Sequence, residues 1–139
     1  MEDIQPLDWV RRSGGDATSA TSVCAGSLVL AAAGLLTGYK AACYWAARHQ
    51  LAWFRAEPAA DSTVCDHNRV SGGGVTAGVD FVFALNAVVW GVDHANFVQP
   101  GIEYDPSPPF NRGLSEKADA TTIASYRARV AKLTWDRQA

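Results

Sequence analysis

Apolar and polar positions along this chain fall into short blocks whose period changes from one block to the next. Ile4, Leu7 and Val10 recur at helical spacing with Trp9 beside them, which predicts a short amphipathic helix over residues 4–12, ended by Ser13-Gly14-Gly15-Asp16. Residues 18–23 read as a strand of low apolar content. Residues 25–36 are apolar nearly all round and predict a buried helix, closed near Gly38. A strand over 39–44 and a helix over 45–54 follow, then a loop over 58–62. Thr63-Val64-Cys65 and Arg69-Val70-Ser71 predict two short strands about the turn Asp66-His67-Asn68. Gly72-Gly73-Gly74 leads into a helix over about 76–90, which Gly91-Val92-Asp93 breaks and recaps. Residues 94–103 are helix-like, but Pro100-Gly101 should kink or stop that helix. Pro106-Ser107-Pro108-Pro109 predicts an extended loop. Over 118–134 Ile123, Tyr126, Val130 and Leu133 share one helical face. Strands alternating with helices predict an α/β fold with a largely parallel sheet. The strands are few, so the chain supplies only part of such a sheet.

Length and composition narrow this picture. A chain of 139 residues is at most one domain, and 48% hydrophobic with 19% charged residues is a globular composition. The net charge is −2 and no basic run occurs, so neither nucleic acid nor an anionic membrane is an implied partner. An acidic leader (Glu2, Asp3, Asp8, Asp16) argues against an export signal, and the apolar run 23–36 is too short to span a bilayer. Cys24, Cys43 and Cys65 make an odd set without CxxC spacing. That excludes a disulfide framework or zinc site as the simplest reading, predicts no metal, and suits a reducing, cytoplasmic setting.

Cys24 carries the candidate chemistry. It stands where the strand pattern gives way to the helix pattern, with Ala25 and Gly26 immediately after it. Small residues there allow a sharp bend that leaves the sulfur exposed, and a helix N-terminus behind it favours thiolate. The same cysteine also fits a buried small hydrophobe. The glycine run 72–74 can bring backbone close to this turn, with the next helix directing N–H groups toward it, or can simply make a tight strand-to-helix turn. His49, His67 and His94 have no spacing that dictates contact with Cys24. Cys43 and Cys65 lie in predicted strands and read as core thiols. Glu103-Tyr104-Asp105 reads as pinning the proline-rich loop, and Asp80 as complementing a helix dipole. Trp9, Trp45, Trp53, Trp90 and Trp135 read as packing or interface residues.

Taken in order, Ser22-Val23-Cys24-Ala25-Gly26-Ser27-Leu28-Val29-Leu30, Gly34-Leu35-Leu36, Gly72-Gly73-Gly74-Val75-Thr76-Ala77-Gly78-Val79-Asp80-Phe81 and Glu103-Tyr104-Asp105-Pro106-Ser107-Pro108-Pro109-Phe110 resemble the DJ-1/PfpI superfamily. The nearest branch is the isonitrile hydratases, or cyclohexyl-isocyanide hydratases, and the likeness runs over about residues 4–132. The resemblance implies a flavodoxin-like α/β sandwich of the class I glutamine amidotransferase type and a homodimer without cofactor. It marks Cys24 as the nucleophile of an enzyme that hydrates a small isonitrile-like substrate to an N-substituted formamide. Ala25, Gly26, Gly73, Gly74, Val75 and Thr76 are the residues it places at the oxyanion and substrate.

The chain departs from the family pattern in several places. The family domain is longer at its N-terminus, where its acidic acid/base residue lies; nothing ahead of Cys24 matches that motif, so residues 1–139 are expected to form an N-terminally truncated domain. Ala25 stands where close members have Thr, and Tyr44 where many have His. Pro100-Gly101 falls in a segment that is usually unbroken helix. These departures keep open an inactive member acting as a dimerisation or binding module. A ligand-sensing domain and a redox sensor at Cys24 are further alternatives.

Overall fold

The computed structural model describes residues 4–135 and groups the chain into two compact units, Met1–Tyr104 and Asp105–Ala139. In the first unit the elements follow the order α1 (Ile4–Asp16), β1 (Ala20–Val23), α2 (Gly26–Ala32), β2 (Lys40–Ala42), a 3-10 helix (Arg48–Phe54), β3 (Glu57–Ala59), β4 (Thr63–Asp66), β5 (Arg69–Gly72), α3 (Ala77–Trp90) and α4 (Val92–Gly101). The second unit holds α5 (Ala120–Trp135). Its start is built by Asp119, whose carboxylate accepts the Thr122 N–H and hydroxyl, each at 2.9 Å, and pairs with Arg112 at 2.9 Å. On the face predicted for this helix, Ile123 and Val130 are half-buried and Tyr126 is exposed; the Leu133 side chain, like that of Trp135, lies outside the described ones.

Two small sheets form the first unit's centre. In one, β5 lies between β1, to which it is parallel, and β4, to which it is antiparallel. In the other, β2 and β3 pair in parallel, with Lys40 opposite Glu57 and Ala42 opposite Ala59. What separates the sheets is visible in the free edge of β2. Its Lys40 and Ala42 N–H groups do not meet a neighbouring strand; they are taken by side-chain oxygens, Asp66 Oδ2 and Ser71 Oγ, each at 2.8 Å. Both donors are satisfied without a ladder, as a covered edge requires. The lysine bond, together with one from His67, holds the Asp66 carboxyl below the usual carboxylate range.

The core lies between α2, β2 and the 3-10 helix, where Ala31, Leu36, Ala41, Cys43, Leu51 and Ala56 form one buried cluster. Small side chains dominate it, so the elements approach closely.

Four elements differ from the sequence reading. Helix α1 runs on through Ser13-Gly14-Gly15 to Asp16. The reason is packing: a Cβ on Gly14 would collide with Leu35 Cδ1, so glycine admits a close approach there. Helix α2 stops at Ala32, and a set of turns carries the chain to Gly38. The segment predicted as a helix over 45–54 forms a 3-10 helix, ended by Arg55 in the left-handed region at φ 59°. Glu57–Ala59, read mostly as loop, is a strand despite Pro58, which lies on a two-stranded sheet with no ladder beyond it. Helix α4 does stop at Pro100-Gly101. Of the tryptophans, Trp9, Trp53 and Trp90 are exposed. Among the described residues no helix is long and apolar enough to cross a membrane.

Candidate functional site

The turn at Cys24 is built by strand register. Val23 lies opposite Gly72 at the end of the β1–β5 pair, and the Cys24 N–H continues the ladder by donating to Gly72 O at 2.9 Å. Cys24 itself adopts φ 60°, a left-handed conformation that costs an L-residue about 1–2 kcal/mol. Helical geometry begins at the next residue, Ala25 (φ −68°, ψ −10°), and the Ser27 and Leu28 N–H groups bond back to the Cys24 and Ala25 carbonyls at 3.4 and 3.0 Å. The chain thus reverses from strand to helix within two residues. Cys24 and Gly26 are half-buried and Ala25 is exposed. A Cβ at Gly26 would meet only Ser22 Cβ at 3.8 Å, an ordinary contact, so the bend itself rests on Cys24.

Behind the turn, hydroxyl groups lash the strands together. Ser27, fully buried on α2, donates to Ala42 O at 2.7 Å, and its oxygen lies 2.9 Å from Ser22 Oγ. Ser71 on β5 takes the Ala42 N–H. Cys43 follows Ala42 directly and is buried in the core cluster. Burial pushes its thiol up to about 11; the Tyr44 backbone N–H opposes this, the charge of Cys24 adds to it, and Arg48 opposes it again. The core reading of Cys43 holds, since it is 2% exposed.

The glycine run lies on the other side of Val23. Gly72 makes the close approach: a Cβ there would stand 3.2 Å from Phe81 Cβ and 3.4 Å from Val23 Cγ2. The Gly73 N–H is already used, donating to Ser62 O at 2.8 Å. The turn into α3 is closed by Ala77 N to Gly74 O and Gly78 N to Val75 O, both 3.1 Å. Among the described residues the N–H groups of Gly74, Val75 and Thr76 have no backbone acceptor, as expected ahead of a helix. Val75 and Thr76 are exposed. The first turns of α3 pack on the Cys24 strand, since a Cβ on Gly78 would touch Val23 Cγ1 at 3.9 Å.

The remaining candidates lie elsewhere. His67 pairs with Asp66 at 2.7 Å on the β4–β5 turn, His94 bonds Asn86 at 2.7 Å, and His49 stacks edge-on to Trp53. Cys65, read as a core thiol, is exposed on β4. The residue pattern of β4 does not reveal which of its faces the second sheet covers. The Tyr104 hydroxyl donates to Asp80, which pushes its pKa above the ordinary tyrosine value, and its ring lies 5.1 Å from Phe83. Tyr104 thereby fixes the end of α4 against the start of α3, a contact with α3 rather than the pinning of the proline-rich loop that the sequence suggested. Among the described residues no three His, Cys, Asp or Glu side chains are grouped to hold a metal ion.

The chain is similar to a Pseudomonas putida isonitrile hydratase, 45% identical over 131 residues, which cover 94% of this chain and 58% of that protein. A ThiJ/PfpI family protein from Pseudomonas syringae is 43% identical, with a TM-score of 0.89 over 94% of this chain and 54% of that one. Drosophila melanogaster DJ-1beta shares the fold at 20% identity, with a TM-score of 0.65 over 76% of this chain and 56% of the other. The chain therefore spans just over half the length of these relatives. Its elbow cysteine and the α/β frame behind it lie within residues 2–87, the stretch that matches the DJ-1/PfpI family, and to that family the chain belongs.

Proposed function

We propose that this chain carries the nucleophilic portion of an isonitrile hydratase-type site, with Cys24 as the nucleophile. The observation that carries the reading is the left-handed Cys24 at the junction of β1 and α2, in a chain 45% identical to an isonitrile hydratase. The Cys24 sulfur attacks the terminal isonitrile carbon, forming a C–S bond, and the resulting imidoyl carbon takes a proton to give a thioimidate. Water adds to that carbon while the nitrogen gains a proton. The C–S bond then breaks, returning the thiolate and releasing an N-substituted formamide. The Ala25 N–H is the donor nearest in sequence to the sulfur for charge that develops there. The Gly74, Val75 and Thr76 N–H groups supply further donors to the substrate.

The test is formamide release from cyclohexyl isocyanide by wild type and Cys24→Ala. Loss of activity in the variant supports the assignment. Equal activity in both proteins removes it.

A second reading is favoured by one observation. Val82, Val88, Val89 and Trp90 on α3, with Phe97 on α4, are more than half exposed. Such a surface suits association with a second copy of the chain rather than a free monomer. Sedimentation equilibrium of the isolated chain tests it, and a stable monomer rules it out.

A further inference from the structure

Strand β1 pairs on one side only, because it ends the sheet order β1–β5–β4. In its parallel ladder with β5 the Ala20 N–H donates to Asn68 O at 3.0 Å and the Cys24 N–H to Gly72 O at 2.9 Å. Successive residues of a strand face opposite ways, so Ala20, Ser22 and Cys24 turn their backbone groups toward β5. The N–H and C=O groups of Thr21 and Val23 therefore point away from β5, onto the outer edge. Among the described residues neither of these two N–H groups has an acceptor. Strand β2 makes the contrast plain. Its edge N–H groups are taken by Asp66 Oδ2 and Ser71 Oγ, and β1 has no such cover.

The edge is also undefended. Ala20-Thr21-Ser22-Val23 holds no charge and no proline, and its register against Arg69–Gly72 advances one residue at a time, without a bulge. Charges, prolines and bulges are the devices that keep an edge strand from pairing, and a strand without them is a template for another. The relatives point to its occupant. They follow this frame over 94% of the chain, yet the match takes up only 58% of one and 54% of the other. A large part of each relative is thus polypeptide with no counterpart here.

We propose that the outer edge of β1 docks an extended segment of a separate polypeptide, equivalent to the part of the relatives that has no counterpart in this chain. The segment adds one strand to the sheet. Its carbonyls accept the Thr21 and Val23 N–H groups, and its N–H groups donate to the Thr21 and Val23 carbonyls. Docked there, it runs alongside the strand that ends at Cys24 and so borders the site. The inference does not depend on the hydratase reading, since its readouts are association and amide exchange rather than isonitrile turnover. It is also distinct from pairing of two copies through the exposed face of α3 and α4, which leaves the outer edge of β1 open.

The probe is the part of the Pseudomonas putida isonitrile hydratase that has no counterpart here, produced as a separate polypeptide and co-expressed with the isotope-labelled chain. Amide exchange is followed by NMR for the chain alone and in the complex. Alone, Thr21 and Val23 should exchange rapidly, while Ala20 and Cys24, bonded to β5, exchange slowly. In the complex Thr21 and Val23 should become slow as well. Thr21→Pro removes one outer-edge donor and leaves the bonds to β5 in place, since proline is tolerated on the open side of an edge strand. It should weaken association by about tenfold, the loss of one ladder bond together with the bulk of the ring. Thr21→Val, which keeps the N–H, should bind as the wild type does. Absence of association overturns the proposal, and so does association that leaves Thr21 and Val23 in rapid exchange. Slow exchange at both positions in the chain alone also overturns it, and with a dimeric mass assigns the edge to a second copy. The wild-type exchange pattern decides the question even where the proline variant does not fold.

Discussion

Gly72→Ala separates two roles that the glycine run could play. At Gly72 an added methyl would meet Phe81 Cβ at 3.2 Å and Val23 Cγ2 at 3.4 Å. Phe81 is 7% exposed and Gly72 itself is buried, so neither can move aside into solvent. Overpacking of this kind costs about 1–3 kcal/mol. Against it stands a gain of about 0.4–1 kcal/mol, because alanine narrows the unfolded ensemble and a strand conformation suits it. The net expectation is a loss of about 1–2 kcal/mol. Gly74→Ala is the internal control: nothing lies within 4 Å of its Cβ position, and its φ is not in the left-handed region. That variant should be neutral or slightly more stable than wild type. Urea unfolding followed by tryptophan fluorescence measures both, and for a chain of this size a melting shift of about 2–5 °C per kcal/mol is an independent check. Equal stability of Gly72→Ala and wild type, or a Gly74→Ala protein as damaged as Gly72→Ala, would refute the assignment of the close approach to Gly72.

Ser27→Ala removes a buried hydroxyl that bonds Ala42 O at 2.7 Å and Ser22 Oγ at 2.9 Å, and urea unfolding should show a loss of about 1–3 kcal/mol. Asp119 is held below the usual carboxylate range, chiefly by the Thr122 backbone N–H and then by its hydroxyl. A lowered folded value means the cap is fully formed above the unfolded value of about 3.9 and is lost as pH falls through the folded one. Circular dichroism should therefore show helical signal steady above that range and declining below it, and an Asp119→Ala protein should lack this acid step. Native alkylation near neutral pH should label Cys65 and Cys24 and spare Cys43, which should react only after unfolding; early labelling of Cys43 would contradict its burial.

Much of this protein is written locally. The helical spacing of Ile4, Leu7 and Val10, the short strands about Asp66-His67-Asn68, and the breaks at Gly91 and Pro100-Gly101 all place elements where the structure has them. These signals are local because the backbone conformation of a glycine, a proline or a two-residue turn is decided by its own sterics. The bend at Cys24 is legible for the same reason, as a strand pattern meeting a helix pattern across small residues. Other features required the assembled fold. Helix α1 runs through Gly14-Gly15 because Leu35 packs there, and Pro58 enters a strand because its partner β2 offers a single ladder edge. The close approach falls on Gly72 rather than elsewhere in the run because Phe81 and Val23 converge there. The seating of Cys43 in the core depends on Ser27, Asp66 and Ser71 satisfying groups of the strand that precedes it, from elements distant in sequence. Local sterics set where the chain turns. Which side chains then meet depends on how buried polar groups find partners across elements, and that is settled only when the elements pack.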